Sequence, residues 1–137
     1  MILINEEDIM LKVTCAIIEK NQQVLITQRG PHKSQALLWE FPGGKIEPSE
    51  TETDCLIREI EEELNLQVEL GLRLTPVEHN YGNFMVNLIP YVCQYKSGTI
   101  ALREHVAYNW VSAKDLNRYN WCPADLPIVE EYIRRKK

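Results

Sequence analysis

Three glutamates in the middle of the chain have the residue type and spacing to hold a divalent cation. Glu59, Glu62 and Glu63 stand at i, i+3 and i+4, so on a helix their side chains share one face. Carboxylates this close repel each other, at about 0.2–0.5 kcal/mol per pair on an exposed helix. A bound Mg²⁺ or Mn²⁺ removes this cost, because both ions prefer oxygen ligands such as carboxylates. The alternative is an acidic helix face exposed to solvent, which is common in soluble proteins.

Three neighbouring features favour a site for a metal and a phosphate. Arg58 lies beside the cluster and is able to orient a carboxylate. Gly43 and Gly44 precede the helix, where bare backbone can approach a phosphate or a metal closely. The start of the helix also offers unsatisfied N–H groups to an anion, although Glu50 competes for them.

At this point residues 43–66 resemble the Nudix box, G-x5-E-x7-R-E-U-x-E-E-x-G-U, where U is a bulky apolar residue. The matching positions are Gly44, Glu50, Arg58, Glu59, Ile60, Glu62, Glu63 and Leu66. Asn65 stands where the family has glycine. A glycine there would end the helix with positive φ, and asparagine is the next best residue for this conformation. The departure therefore affects the end of the helix and not metal binding.

The resemblance covers nearly the whole chain, from about residue 11 to residue 133, and is closest to the MutT-like branch. The other segments that carry it are residues 25–29, 39–47 and 123–127. It implies an α+β fold of the α/β/α sandwich type, with a mixed sheet, a catalytic helix after a glycine-rich loop and a C-terminal helix. It also implies a nucleoside triphosphate pyrophosphohydrolase that acts on CTP-type or oxidised nucleotides such as 8-oxo-dGTP, and so cleans the nucleotide pool.

The resemblance assigns the catalytic roles. Glu59, Glu62 and Glu63 would hold Mg²⁺, assisted by the Gly43 carbonyl. Metals would bridge phosphate oxygens and lower the pKa of a bound water, which would attack a phosphorus, expected to be the β one. A nucleoside monophosphate and pyrophosphate would leave.

The general base is left open between two glutamates. The motif favours Glu62, whereas the MutT-like branch carries an acidic residue on a mobile loop at the position of Glu104. The alternative for Glu104 is an exposed loop charge. Glu50 and Arg58 are expected to form a structural pair that orients the catalytic helix, with Arg58 shaping the site.

The same resemblance suggests which residues bind phosphate. Arg29 matches a phosphate-binding arginine of the branch and suits bidentate contact with phosphate. Lys45 would add positive charge. The alternative for Arg29 is a surface cation at the end of a strand.

Asp125 matches the position that reads the edge of the base. An ionised Asp125 only accepts hydrogen bonds and would favour a base with an amino group, whereas a protonated one also donates and would suit an oxidised purine. The alternative is a helix cap. Glu40 and Phe41 belong to the substrate-binding set. Further stacking candidates are Trp39, Tyr81 and Phe84, although aromatic residues in strands more often belong to the core. No role follows for His32, His79 or His105.

The elements that must position these residues are strands around one central helix. Residue patterns predict strands at residues 11–19, 24–27, 68–74, 84–95 and 105–111. Ser49 and Glu52 predict a capping box at the helix start, and the helix should run to about Leu64. Its core-facing residues are predicted to be Leu56, Ile57, Ile60 and Leu64, and Cys55 is also expected in the core. Ser112 and Asp115 predict a short helical turn, and residues 123–134 a closing helix with Leu126, Val129 and Ile133 on its apolar side.

Length and charge limit the remaining choices. The chain has 137 residues, which fits a single domain over residues 1–137. A net charge of −5, with dense basic residues only at 134–137, argues against a nucleic-acid polymer as partner. No run of about 18 apolar residues predicts a membrane helix, and residues 1–10 lack the features of a signal peptide. The four cysteines form no CxxC pair, which favours reduced thiols in the cytoplasm.

Two other functions stay open beside nucleoside triphosphate hydrolysis. One is a different Nudix substrate, such as ADP-ribose, a dinucleoside polyphosphate or an RNA 5′ end, which the short chain disfavours. The other is a non-catalytic nucleotide-binding module, which the complete set of box glutamates disfavours. The sequence does not decide between a monomer and a homodimer.

Overall fold

The computed structural model describes residues 10–137 as one mixed sheet with two main helices. The strands are β1 (Met10–Lys20), β2 (Gln23–Gln28), β3 (Trp39–Glu40), β4 (Gly43–Lys45), β5 (Gln67–Arg73), β6 (Val77–Asn80), β7 (Met85–Ser97) and β8 (Ala107–Val111). The helices are α1 (Glu52–Leu64) and α2 (Leu126–Arg135), and two 3₁₀ turns cover Ala113–Arg118 and Pro123–Asp125.

The sheet is built around a long parallel pair, β1 and β7. Their register runs from Met10 opposite Met85 to Glu19 opposite Gln94. The other strand pairs are antiparallel, with strand order β3-β2-β1-β7-β5 and with β4 on β1, β6 on β7 and β8 on β2. The predicted mixed sheet is therefore confirmed.

Each face of the sheet carries its own apolar core, because neighbouring strand residues point to opposite sides. Ile18 packs in one core with Leu56 and Ile60 of α1. Ile17, its neighbour, packs in the other core with Ile128 and Val129 of α2. The predicted sandwich of helix, sheet and helix is thus confirmed.

The start of α1 differs from the prediction. Thr51, not Ser49, is the N-cap, and its side chain accepts a hydrogen bond from the Asp54 N–H at 3.1 Å. Ser49 lies outside the helix with φ of 70°, so the predicted capping box is wrong. Glu52 instead accepts hydrogen bonds from Arg73 and Tyr91, because the turn after β4 starts the helix later than the local pattern suggests.

The rest of α1 follows the prediction apart from one residue. The helix ends at Leu64, and Cys55, Leu56 and Ile60 are buried as expected. Ile57 is 44% exposed, because the stripe of buried residues leaves it on the solvent side. Its assignment to the core is wrong.

The predicted longer strands are present, whereas three short ones were not foreseen. β3, β4 and β6 have two to four residues, too few to show a period. The last strand starts at Ala107 instead of residue 105.

The closing helix is present but is divided into a 3₁₀ turn and α2. Its buried side is formed by Ile128, Val129 and Tyr132, and Leu126 is 45% exposed. The predicted apolar side was therefore wrong for Leu126. The predicted turn after Ser112 is a 3₁₀ helix, although the Ser112 side chain makes no capping hydrogen bond.

Two predictions concern the membrane and the N-terminus. Among the described residues, no helix has the length and apolar character needed to cross a bilayer. The prediction that residues 1–10 are not a signal peptide lies almost wholly outside residues 10–137, which the structure describes.

Candidate active site

A polar cavity of about 260 Å³ is lined by strands β1, β3, β4 and β7, by the C-terminal part of α1 and by the segments that follow β2 and precede β8. Its lining brings together residues that are far apart in the sequence. Those named in the argument below are Arg29, Lys33, Glu40, Phe41, Gly43, Gly44, Lys45, Glu63, Glu104, His105 and Asp125. Most of the residues predicted for substrate and metal binding therefore meet in one place.

Glu63 presents a buried carboxyl group to this cavity. Its Oε2 is buried and has no hydrogen-bond partner within residues 10–137. Burial, followed by the negative charges of Glu59, Glu40 and Glu104, raises the pKa of Glu63 to about 8. A buried carboxyl group without a partner is costly, so this oxygen is available for a cation or a proton.

Arg58 organises the other box glutamates. Its Nε and Nη2 donate to the two carboxylate oxygens of Glu50, at 2.5 and 2.9 Å. Its Nη1 donates to Glu59 at 2.9 Å and to Glu62 at 3.1 Å. The hydrogen bonds from Arg58, with a smaller effect of the Glu47 N–H, lower the pKa of Glu50 to about 2. The predicted pair of Glu50 and Arg58 is present, and Arg58 also holds two of the three expected metal ligands.

The three glutamates do not surround a common point in this arrangement. Within residues 10–137, no three acidic, histidine or cysteine side chains are placed together as metal ligands. Glu62 is 60% exposed and lines a separate hollow with Arg103 on the outer side of α1. The expectation of a shared centre is thus not met here, because Arg58 draws Glu59 and Glu62 into ion pairs.

The donor set nevertheless suits a hard divalent cation. Glu63 offers a free buried oxygen, and Glu59 lies directly against Gly44, where an added Cβ would be 2.2 Å from the Glu59 carboxyl carbon. An added Cβ at Gly43 would lie 1.9 Å from the Thr14 carbonyl oxygen. Glycine is therefore required at position 43, where the backbone of β4 approaches the backbone of β1, and at position 44 it leaves room for the Glu59 carboxyl group. Oxygen donors of this kind match the preference of Mg²⁺ and Mn²⁺.

Arg29, Glu40 and His105 form a connected network at the cavity. Arg29 Nη1 donates to Glu40 Oε1 at 3.1 Å, and His105 Nε2 lies 2.9 Å from Glu40 Oε2. Arg29 Nε also donates to the Ser34 carbonyl oxygen at 2.7 Å. These contacts fix the guanidinium of Arg29 at the cavity wall, so Arg29 is not a free surface cation.

Asp125 is almost completely buried, with 4% exposure. Its Oδ2 accepts a hydrogen bond from the Phe41 N–H at 2.9 Å, and its side chain makes no capping contact with α2. Asp125 thus stands at the N-cap position of α2, but its side chain does not act as a helix cap. Burial, with the charge of Glu40 as a smaller cause, raises the pKa of Asp125 well above its ordinary value, which favours the protonated form.

A second hollow of about 490 Å³ shares Arg29, Glu40, Lys45 and Asp125 with the cavity. Tyr81 and Phe84 line it and are half-buried, so both face space that a ring can enter. Phe41 is buried against Trp121, and Trp39 packs on Tyr119. Trp39 is therefore mainly a packing residue, while Phe41 combines a core position with a place in the cavity wall.

Comparison with known proteins identifies the family and the fold. The model of the NUDIX domain family matches residues 13–131. The chain belongs to the Nudix family. The CTP pyrophosphohydrolase of Escherichia coli (strain K12) is 34% identical over 124 residues, which are 90% of this chain and 92% of that protein. The 8-oxo-dGTP diphosphatase of the same organism is 27% identical over 90% of this chain and 97% of its own length.

Solved structures agree with the family. The solution structure of the MutT protein, a Nudix hydrolase of methicillin-resistant Staphylococcus aureus 252, is 39% identical with a TM-score of 0.76. The match covers 92% of this chain and 97% of that one. The chain is thus a Nudix hydrolase with the MutT-like fold.

Several residues of this Nudix site were not foreseen from the sequence. His105 is one, because the three histidines have no metal-binding spacing in the sequence. Lys33, whose Nζ pairs with Glu104 Oε2 at 3.0 Å, is another. Arg103, bound to the end of α1, is a third. The signal that could have pointed to His105 and Arg103 is their position on either side of Glu104.

Proposed function

We propose that this Nudix hydrolase is a Mg²⁺-dependent nucleoside triphosphate pyrophosphohydrolase that acts on CTP-type or oxidised nucleotides. The observation that carries the proposal is the buried, unpartnered carboxyl oxygen of Glu63 in the same cavity as Arg29 and Asp125. One wall thus suits a metal and a phosphate, and another suits a base. The names of the two E. coli relatives support both nucleotide classes.

Glu59, Glu62 and Glu63, with the Gly43 carbonyl, would hold Mg²⁺, and Mn²⁺ is a possible substitute. The bound cation would lower the pKa of a water and neutralise charge on the diphosphate. For this the carboxylates of Glu59 and Glu62 must turn away from Arg58. Glu50 keeps Arg58 in place as they do so, because two of its contacts with Arg58 are independent of the other glutamates.

Arg29 is proposed to bind a phosphate group of the nucleotide. Among residues 10–137, its Nη2 donates only to the exposed Ser34 hydroxyl, at 3.2 Å, so a phosphate oxygen can replace that partner. Lys45 is exposed at the same wall and would add positive charge. Planar guanidinium groups bind phosphate by two parallel hydrogen bonds.

Asp125 is proposed to read the base. In its protonated form it both donates and accepts hydrogen bonds, which suits a base that offers an adjacent acceptor and donor. Tyr81 and Phe84 would stack on the ring, since stacking does not depend on the identity of the base. Glu40 contacts both Arg29 and His105, and would thereby hold the two side chains in place at the cavity wall.

The water that attacks phosphorus needs a proton acceptor, and two glutamates are proposed. Glu104 lines the cavity, and Lys33 is its one ion-pair partner in the part of the chain that the structure describes. Glu62 lies outside the cavity wall in its contact with Arg58. Glu104 is therefore better placed in this arrangement, and the variants Glu104→Gln and Glu62→Gln distinguish the two by their pH profiles.

A nucleotide panel tests the function directly. CTP, dCTP, 5-substituted dCTP, 8-oxo-dGTP, dGTP and ADP-ribose would be compared with separate detection of pyrophosphate and of single phosphate, with Mg²⁺ and with EDTA. We expect pyrophosphate release from a triphosphate that EDTA abolishes. Preference for ADP-ribose, release of single phosphate or full activity in EDTA would each contradict the proposal.

The remaining parts of the proposal concern the setting of the enzyme. We expect it to act in the cytoplasm on a small-molecule nucleotide, as a monomer or a homodimer, and not on a nucleic-acid polymer or a membrane. The cysteines are buried thiols without disulfides, as expected for a reducing compartment.

A further inference from the structure

The C-terminal end of α1 carries successive negative charges where a helix is least able to accept them. Glu61, Glu62 and Glu63 lie in its last turn, which holds no basic residue. Negative charge there opposes the helix dipole, and the last four carbonyl groups have no partner inside the helix. Partners for this end come from residues 99–106, between β7 and β8, which we call the clamp segment.

The clamp segment donates hydrogen bonds to three successive carbonyl groups of α1. The Ala101 N–H donates to the Leu64 carbonyl at 3.0 Å, and the Arg103 N–H donates to the Glu63 carbonyl at 3.3 Å. The side chain of Arg103 donates through Nη1 to the Glu62 carbonyl at 2.8 Å. Arg103 thus supplies from outside the positive charge that the helix end lacks.

Asn65 adds a contact that a glycine at this position could not make. It adopts the left-handed conformation with φ of 61°, and its N–H donates to the Glu61 carbonyl. Its side-chain Nδ2 also donates to the Thr99 carbonyl at 3.2 Å. Gly98 permits the close approach, because a Cβ there would lie 2.3 Å from the Asn65 carbonyl oxygen. The departure from the box therefore ties the helix end to the clamp segment.

The residues that follow Arg103 reach the cavity. Glu104 and His105 both line it, and His105 contacts Glu40. The Val106 N–H donates to the Gln28 carbonyl of β2 at 3.0 Å. The clamp segment is therefore fastened to α1 at one end and to β2 at the other, with Glu104 between the two attachments.

We propose that Asn65 and Arg103 are positioning residues, which fasten the clamp segment to the C-terminal end of α1 and thereby hold Glu104 at the cavity beside Glu63. The inference rests on the proposed function, in which both glutamates serve hydrolysis. Neither Asn65 nor Arg103 lines the cavity, so each acts through Glu104 and not on the substrate.

Amide hydrogen exchange tests the attachment itself without any substrate. In the wild-type protein the N–H groups of Ala101 and Arg103 should be protected, and Asn65→Gly and Arg103→Gln should accelerate their exchange about tenfold or more. Asn65→Gly should fold, because glycine adopts positive φ without steric strain. Unchanged exchange at both amides in both variants would overturn the proposal.

Matched controls exist elsewhere in the chain. Asn21 also has positive φ, 52°, in the turn between β1 and β2, so Asn21→Gly makes the same change of residue without touching α1. Arg118 is an exposed arginine paired with Asp115, so Arg118→Gln controls for loss of charge. Neither control should alter exchange at Ala101 or Arg103, and an equal effect of the controls would overturn the proposal.

Steady-state kinetics test the consequence for catalysis. Asn65→Gly and Arg103→Gln should lower kcat by about tenfold to 100-fold with little change in KM, because misplacement of a reacting group affects the chemical step. Arg103→Lys, which keeps the charge and a donor, should recover part of kcat. Combined with Glu104→Gln, neither variant should cause further loss. Additive losses in the double variants, or no loss in the single ones, would overturn the proposal.

The two tests separate the inference from the function on which it rests. If the wild-type protein turns over no nucleotide, the proposed function fails, while hydrogen exchange still decides whether Asn65 and Arg103 hold the clamp segment. If the wild-type protein is active and both variants match it, the inference alone fails.

Discussion

Two buried acids line the same cavity, and the protein treats them differently. Asp125 receives a hydrogen bond from the Phe41 N–H and has a pKa well above its ordinary value, mainly through burial. Glu63 has a pKa raised to about 8 by burial and then by neighbouring carboxylates, and its Oε2 has no partner within residues 10–137.

The comparison indicates that the two acids lie in different electrostatic surroundings. The surroundings of Asp125 favour a protonated acid, because burial and the charge of Glu40 outweigh the Phe41 N–H, which by itself stabilises the ionised form. The surroundings of Glu63 gather negative charge, which a proton relieves only in part and a divalent cation relieves fully. The proposed metal side of the cavity, at Glu63, and the proposed base side, at Asp125, thus differ in the charge that surrounds each acid.

The largest expected effect comes from removing the charge of Glu63. Glu63→Gln should lower kcat by about 10²-fold or more, on the scale seen when a group that stabilises the transition state is lost. Folding should be retained, because the change removes a buried like charge. Glu61→Gln, on the exposed side of the same helix turn, is the control and should keep activity. Comparable activity of both variants in the pyrophosphate assay would contradict the proposal that Glu63 holds the divalent cation.

Mg²⁺ should stabilise the folded protein through Glu63 and not through Asp125. At a Mg²⁺ concentration 100 times its dissociation constant, the free energy of unfolding in urea should rise by about 2.7 kcal/mol. Asp125→Asn should keep this increase and Glu63→Gln should lose it. An equal increase in both variants would mean that the cation binds elsewhere.

The pH dependence of the free energy of unfolding should show that the pKa of Asp125 is raised in the folded protein. Because its pKa is raised in the folded state, the folded protein holds a proton that the unfolded chain releases near pH 4, and stability falls as pH rises above that point. Asp125→Asn abolishes this contribution and keeps an oxygen for the Phe41 N–H. Urea unfolding is measured in EDTA at several pH values. The free energy of unfolding of the variant should rise relative to that of the wild type as pH increases. A constant difference would show that Asp125 titrates normally.

The smallest expected effect is on base selectivity. Asp125→Asn retains an acceptor but changes the donor geometry, so the ratio of kcat/KM between CTP and 8-oxo-dGTP should shift by about tenfold. The absolute rate on the better substrate should fall less than in Glu63→Gln. A selectivity ratio that stays constant would remove Asp125 from base recognition.

Much of the catalytic helix was predictable from local spacing. The resemblance to the Nudix box predicted the ion pair of Glu50 and Arg58, and the spacing of Glu59, Glu62 and Glu63 predicted a shared helix face. Helix periodicity and ion pairing over a turn or two depend on short stretches of chain, which the sequence displays directly. The long strands were predictable for the same reason.

The sequence predictions were wrong or incomplete in two situations. In one, two local patterns competed for the same role, and in the other, a segment far away in the chain determined the contacts. Ser49 and Thr51 both offer a capping side chain, and the path of the chain from β4 into α1 selected Thr51. Ile57 fits the helical period but lies beyond the edge of the buried stripe. His105 and Arg103 carry no local motif, and their contacts join residues 40 and 62 to the clamp segment.

The sequence by itself determined the family, the helix with its glutamates and the arginine that pairs with Glu50, because these depend on residue types at fixed short intervals. Only the tertiary structure decided that Asp125 is a buried acid and not a cap, that Arg58 holds Glu59 and Glu62, and that Arg103 completes the end of α1. Burial and charge at those places come from segments far apart in the chain, and packing alone brings them together.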